Sequence, residues 1–86
     1  ETYCDVEAGK NISFVVPQRV HAGAELKDHT FFMRVQVPQR RVKLECRCGE
    51  ETVASRSYSA VAPPVMLCCG VSCERSQNLS FDVREV

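Results

Sequence analysis

The stretch RVKLECRC, residues 41–48, decides the fold class. Its apolar residues occupy every second position, and the residues between them are charged. This alternation is typical of a β-strand that has one face in a core and the other in water. The inward set is Val42, Leu44, Cys46 and Cys48, and the outward set is Lys43, Glu45 and Arg47.

Similar alternation recurs along the rest of the chain. It predicts further strands at residues 12–16, 31–37, 51–59, 64–72 and 79–84. Residues 64–72 are apolar on both faces, which favours a central strand. Turn-forming residues separate these segments, and they predict hairpins at residues 38–41 and at Gly49-Glu50. Residues 22–27 are the one helix candidate, and they are too few to form a helix without packing.

Short strands with turns at intervals of about ten residues indicate a β-sandwich. We therefore predict an all-β fold, a small antiparallel immunoglobulin-like β-sandwich with six or seven strands. Residues 1–86 form one domain, since a chain of 86 residues is too short for two. The predicted core is Phe14, Phe31, Met33, Val35, Val42, Leu44, Leu67, Phe81 and Val83.

Composition argues against several functions. The 11 basic and 11 acidic side chains cancel, and no basic stripe is interleaved with aromatic residues, so nucleic acid is not a predicted partner. Prolines and serines interrupt the longest uncharged run, so no membrane span is predicted. His21 and His29 are the only histidines, and both are predicted to lie in or beside a loop. The four glycines are isolated, which leaves no phosphate-binding loop. We predict no catalytic, cofactor-binding or metal-binding residue in this chain, and no enzymatic activity of its own.

The six cysteines allow three interpretations. They can be small buried hydrophobic residues, as free cysteines often are. They can form disulfides in a secreted protein, which the sequons at Asn11 and Asn78 would also fit. They can bind a metal, although no Cys-x-x-Cys pair is present. Cys46 and Cys48 share a strand face and are not expected to bridge to each other, so a bridge would be long-range, for instance from either of them to Cys69.

One part of the sequence resembles a known family. Residues 6–20 include ISFVVPQRV, and the stretch FMRV at residues 32–35 is followed by a proline and a basic turn at residues 38–41. The segment PPVM comes later, at residues 63–66. In this order, these segments resemble the small C-terminal β domain of bacterial FAD-dependent pyridine nucleotide-disulfide oxidoreductases, the family often associated with anaerobic glycerol-3-phosphate metabolism.

The resemblance implies a non-catalytic C-terminal module, excised from a larger cytoplasmic enzyme. Its role would be packing, oligomerisation or docking, with other domains or subunits of the parent oxidoreductase as partners. FAD and NAD(P) would belong to parent domains that this chain lacks, so the chain itself is predicted to bind neither. The alternative is a secreted or cell-surface immunoglobulin-like domain, stapled by disulfides, that binds another protein.

Overall fold

A computed structural model describes residues 2–86, and its strands form two β-sheets. In chain order they are β1 Tyr3–Ala8, β2 Ile12–Val16, β3 Arg19–His21, β4 Leu26–Val35, β5 Gln39–Cys48, β6 Glu51–Val61, β7 Leu67–Cys73 and β8 Leu79–Glu85. The described residues contain no helix that could cross a membrane. The predicted all-β sandwich is confirmed.

The larger sheet has five strands in the order β3-β1-β8-β5-β6, and the smaller has three in the order β2-β4-β7. All neighbouring strands are antiparallel except β1 and β8, which are parallel. The prediction of six or seven strands was wrong, because β1 and β3 went unrecognised. The helix candidate at residues 22–27 was also wrong, since a turn leads there directly into β4 at Leu26.

The core fills the space between the inner faces of the sheets. Phe31 of the smaller sheet meets Phe81 of the larger one, with ring centroids 5.3 Å apart. The predicted core is confirmed except for Phe14, which is 36% exposed. A bulge in β2 between Ile12 and Phe14 inserts one residue, so that Val15 faces the core and Phe14 faces out.

Two connections differ in kind. Gly49 forms the predicted hairpin between β5 and β6, and its φ of +65° suits glycine. The hairpin predicted at residues 38–41 does not form. Residues 36–38 carry the chain from β4 in one sheet to β5 in the other, and residues 39–41 already belong to β5. Asn11 holds this crossing: its Oδ1 accepts from the N–H groups of Gln36 and Val37, and its Nδ2 donates to Val37 and Gln39.

The segment at residues 64–72 was predicted to be a central strand, and this was wrong. Its strand begins only at Leu67, as β7, and lies at the edge of the smaller sheet. Leu67, Cys69 and Val71 are buried, whereas Cys68 and Gly70 are exposed. The exposed positions are themselves apolar or small, which hid the alternation in the sequence.

Candidate functional site

The outer face of the smaller sheet carries a row of exposed apolar side chains. Phe32 on the central strand β4 pairs with Val16 on β2 and with Cys68 on β7, so the three side chains lie side by side across the sheet. Phe32 is 44% exposed and Val16 is 40% exposed. We call the exposed residues Phe14, Val16, Phe32, Met66 and Cys68 the apolar face.

Arg34 supplies a positive charge within this face. It lies opposite Phe14 in the pairing of β4 with β2. Its Nε is buried and has no hydrogen-bond partner among the described residues. An incompletely satisfied guanidinium among apolar side chains suits a partner that brings both apolar contacts and an acceptor.

The edge beside the apolar face is partly covered. Arg56 of β6 reaches from the larger sheet, and its Nη1 donates to the carbonyl oxygen of Cys68 at 3.0 Å. The β7 carbonyl at this point is therefore unavailable to a pairing strand. A partner is therefore better able to pack on the exposed apolar side chains than to add a strand to the β7 edge.

A second feature is the end of the sandwich where Cys4, Cys48 and Cys73 lie close to a loop. Residues 74–78 connect β7 to β8 and close this end. The thiol of Cys4 donates to the carbonyl of Ser76, and the thiol of Cys48 donates to the carbonyl of Arg75. The N–H of Gln77 donates to the Cys48 sulfur at 3.4 Å. Ser76 is buried, and its hydroxyl donates to the carbonyl of Ala24 at 2.6 Å.

An open cavity of about 430 Å³ lies at the same end. Cys48 of the larger sheet and Cys73 of the smaller sheet both line it, together with Glu51, Glu74, Arg75 and Gln77. Small polar molecules in solvent can reach this cavity. The two thiols are therefore accessible from a common space, although Cys48 itself is buried.

Burial controls the acidity of the interior thiols. Cys46 has a pKa of about 12, raised mainly by desolvation and further by the neighbouring thiols of Cys69, Cys48 and Cys73. Burial also raises the pKa of Cys69. The pKa of Cys73 is raised first by burial and then by a hydrogen-bonding interaction with the thiol of Cys48. These thiols are protonated at neutral pH, which makes them weak nucleophiles there.

The structure tests the interpretations of the cysteines in part. All six are free thiols, and Cys4, Cys46, Cys48 and Cys69 are buried, as small hydrophobic residues would be. Among residues 2–86, no group of three or more His, Cys, Asp or Glu side chains is arranged to hold a metal ion. A hydrogen-bonding interaction joins the thiol of Cys73 to that of Cys48, whereas the thiol of Cys69 acts on that of Cys46.

Of the two histidines, His21 lies beside the loop at residues 22–25, as predicted, whereas His29 lies inside a strand, which was not predicted. His21 ends β3 and lies against Tyr3 with ring centroids 4.8 Å apart. His29 lies within β4 and stacks on Phe31 at 4.6 Å. The loop between β3 and β4 spans only residues 22–25, because β4 begins at Leu26 and not at Phe31 as predicted. His29 therefore lies inside the strand.

Comparisons of the chain with protein-family models, with curated proteins and with solved structures give no match.

Proposed function

We propose that this chain is a non-catalytic docking module, the C-terminal β domain of a cytoplasmic bacterial FAD-dependent oxidoreductase. The apolar face carries the docking part of the proposal. Phe32 lies at the centre of a solvent-exposed sheet face, where an isolated domain would gain from a polar residue. The sequence resemblance supplies the identity of the parent.

The chemistry of the face indicates the kind of partner surface. Phe14, Phe32 and Met66 provide flexible and aromatic contacts of the type enriched at the centres of interfaces. Arg34 adds a charged group that a carboxylate of the partner would complement. Another domain or subunit of the parent enzyme that carries apolar residues around an acidic group would fit both requirements.

The first experiment identifies the parent. Antibodies against this domain would recover the natural polypeptide that contains it, and intact mass and visible absorbance would be measured. A chain much larger than 9.7 kDa with a flavin spectrum is the expected result. A colourless polypeptide would overturn the assignment to a flavoprotein.

The second experiment tests the apolar face. Phe32→Asp in the natural polypeptide should weaken subunit assembly or loosen the domain, seen as an altered oligomeric mass or faster proteolytic release. Lys43→Asp on the outer face of the larger sheet is the matched control, and it should leave both unchanged. Equal effects from the two variants would show that the apolar face is not the docking surface.

The second candidate is the secreted, disulfide-stapled protein-binding domain. The contact between Cys48 and Cys73 across the sheets favours it, because oxidation there would staple the sandwich. Against it, the amide of the Asn11 sequon is engaged in four hydrogen bonds, and a glycan on Nδ2 would remove one donor. The natural protein distinguishes the two: a disulfide-bonded, glycosylated product supports the second candidate, and a reduced, unglycosylated one supports the first.

A further inference from the structure

The cysteine-lined end of the sandwich holds a pair of thiols whose arrangement has a chemical consequence. Cys48 ends β5 of the larger sheet, and Cys73 ends β7 of the smaller sheet. Their side chains interact directly with each other, and both border the same open cavity. Two thiols in contact from different sheets are the geometric starting point for a disulfide.

The closing loop at residues 74–78 holds the Cys48 sulfur in place. The sulfur accepts from the N–H of Gln77, and the thiol donates to the carbonyl of Arg75. Cys73 is the less buried of the two, which makes it the first point of contact for a reagent in the cavity.

We propose that Cys48 and Cys73 are an oxidisable dithiol, which closes into a disulfide that joins the two sheets. The oxidant is a small disulfide such as oxidised glutathione. Burial keeps the Cys73 thiol mostly protonated at neutral pH, so its reaction with the reagent is slow there and becomes faster as the pH rises. The thiol first loses its proton to solvent, and the resulting thiolate attacks one sulfur of the reagent. The first reagent thiolate leaves and takes up a proton. The Cys48 thiolate then attacks the Cys73 sulfur of this mixed disulfide and expels the second reagent thiolate. The protein loses two protons and two electrons, and the reagent disulfide is reduced to two thiols.

The bond would change this end of the molecule in two ways. It would join β5 to β7 covalently, across a loop that contains β6. It would also remove the hydrogen bond from Cys48 to Arg75, which helps to hold the closing loop at residues 74–78. Oxidation would therefore stabilise the sandwich while loosening one contact of that loop. The inference does not rest on the docking function. It shares the Cys48–Cys73 contact with the second candidate function, but it concerns only the reaction of the reduced domain with a disulfide.

The other cysteines are less suited to this step. Cys46 and Cys69 are fully buried between the sheets, away from any disulfide reagent in solvent. Cys68 is exposed on the apolar face and would form a mixed disulfide with the reagent, or a bridge to a second molecule. Cys4 donates to the carbonyl of Ser76 on another side of the closing loop.

The test uses the reduced 86-residue chain treated with oxidised glutathione, then denatured and alkylated with iodoacetamide. The expected result is the loss of two alkylation sites, with a peptide map that joins Cys48 to Cys73. The melting temperature of this oxidised protein should rise by about 10 °C or more over the reduced form. Six alkylated thiols, or a map that joins either residue to another cysteine, would overturn the proposal.

Two cysteine variants distinguish the Cys48–Cys73 disulfide from reactions of the other thiols with the reagent. Cys73→Ser should retain Cys48 as an unbridged thiol and show no oxidative rise in melting temperature. Cys68→Ser is the matched control, and it should form the same internal bridge as the unmodified chain. A rise in the Cys73→Ser protein equal to that of the control would overturn the proposal. Should Cys73→Ser fail to fold, the peptide map of the unmodified chain decides the question alone.

Discussion

The two outer faces of this sandwich differ in what they expose. Across the larger sheet, Glu45 pairs with Asp82, Lys43 pairs with Arg84, and the carboxylate of Glu45 reaches Arg84 at 3.0 Å. Across the smaller sheet, the corresponding positions are the apolar Val16, Phe32 and Cys68. Both inner faces supply the same core, so the difference does not arise from folding.

This difference separates the requirements of the fold from those of recognition. Strand alternation needs only that the inward positions be apolar, and the outward ones are free to suit water or a partner. The larger sheet uses that freedom for charge and the smaller one for hydrophobic side chains. An outward apolar row is thus better explained by contact with another surface than by stability of the domain.

The largest expected effect contrasts the inner and outer positions of one strand. Leu44 is fully buried, and Leu44→Ala should lower the free energy of unfolding by about 2–5 kcal/mol through lost packing and a residual cavity. Lys43→Ala, on the outward side of the same strand, should change it by less than about 0.5 kcal/mol. Urea denaturation measures both. A loss below about 1 kcal/mol for Leu44→Ala would contradict the observed register of β5.

The next effect is a loss of folding stability at alkaline pH, caused by ionisation of the Cys46 thiol buried between the two sheets. Cys46 titrates at about 12 in the fold against an ordinary pKa of 9.0, so the folded state holds its proton more tightly. The associated stability is fully present below pH 9 and is lost as pH rises through 12. The free energy of unfolding should fall by up to about 1.4 kcal/mol per pH unit in this window. Denaturation curves on either side of pH 9 test this.

Two cysteine variants test whether Cys46 causes this loss of stability at alkaline pH. Cys46→Ala should flatten the pH dependence, although the raised pKa values of Cys69 and Tyr58 will leave part of it. Cys68→Ala alters an exposed thiol on the apolar face and should change the dependence much less, since Cys68 only adds to the raised pKa values of Cys69 and Tyr58. An unchanged slope in Cys46→Ala would mean that this thiol is not the group responsible.

A smaller effect on stability is expected at the apolar face itself. Phe32→Thr keeps a residue that suits a strand, and it should change the free energy of unfolding by less than about 1 kcal/mol. The fluorescence of a hydrophobic dye such as ANS should nevertheless fall, because the centre of the exposed row is removed. Lys43→Thr on the other outer face should leave the dye signal unchanged. A large loss of stability in Phe32→Thr would place that residue in the core.

The smallest effect is expected from the ion pair on the charged outer face. Arg84 is well exposed, and its bond to Glu45 is open to solvent. A double-mutant cycle with Glu45→Gln and Arg84→Gln should give a coupling of about 0.2–1 kcal/mol, reduced further by salt. A coupling that is larger and insensitive to salt would show that this face is less solvated than the apolar one.

The sequence predicted the strands that alternate cleanly. β5 and β8 have charged outward residues, so their inward sets were identified correctly. The inward residues of β2 were predicted incorrectly, because its bulge turns Phe14 and Val16 outward. A bulge of this kind has no recognisable signal in the sequence. β3 has three residues, and β1 buries only Cys4 and Val6, so neither gives a strong alternation signal. They become strands through pairing with each other and with β8.

The candidate sites were harder to predict for the same reason. Of the apolar face, only Phe14 was predicted to lie in the core. The exposure of Cys68 was missed because residues 64–72 are hydrophobic or small on both sides of the strand, which indicates burial on both sides. The partnership of Cys48 with Cys73 depends on how the ends of two sheets meet, and spacing along the chain does not encode that. Its one available signal was that Cys48 and Cys73 each end a strand.

The position of β8 has a consequence for how the protein is made. This strand lies between β1 and β5 in the larger sheet, yet it follows both of them along the chain. While the chain is still emerging from the ribosome, β1 and β5 therefore lack their common neighbour, and the apolar residues that β8 covers stay open to water. A nascent chain that stops before Leu79 would be two fragments of a sheet and not a smaller domain. Such a chain would be a substrate for chaperones and proteases.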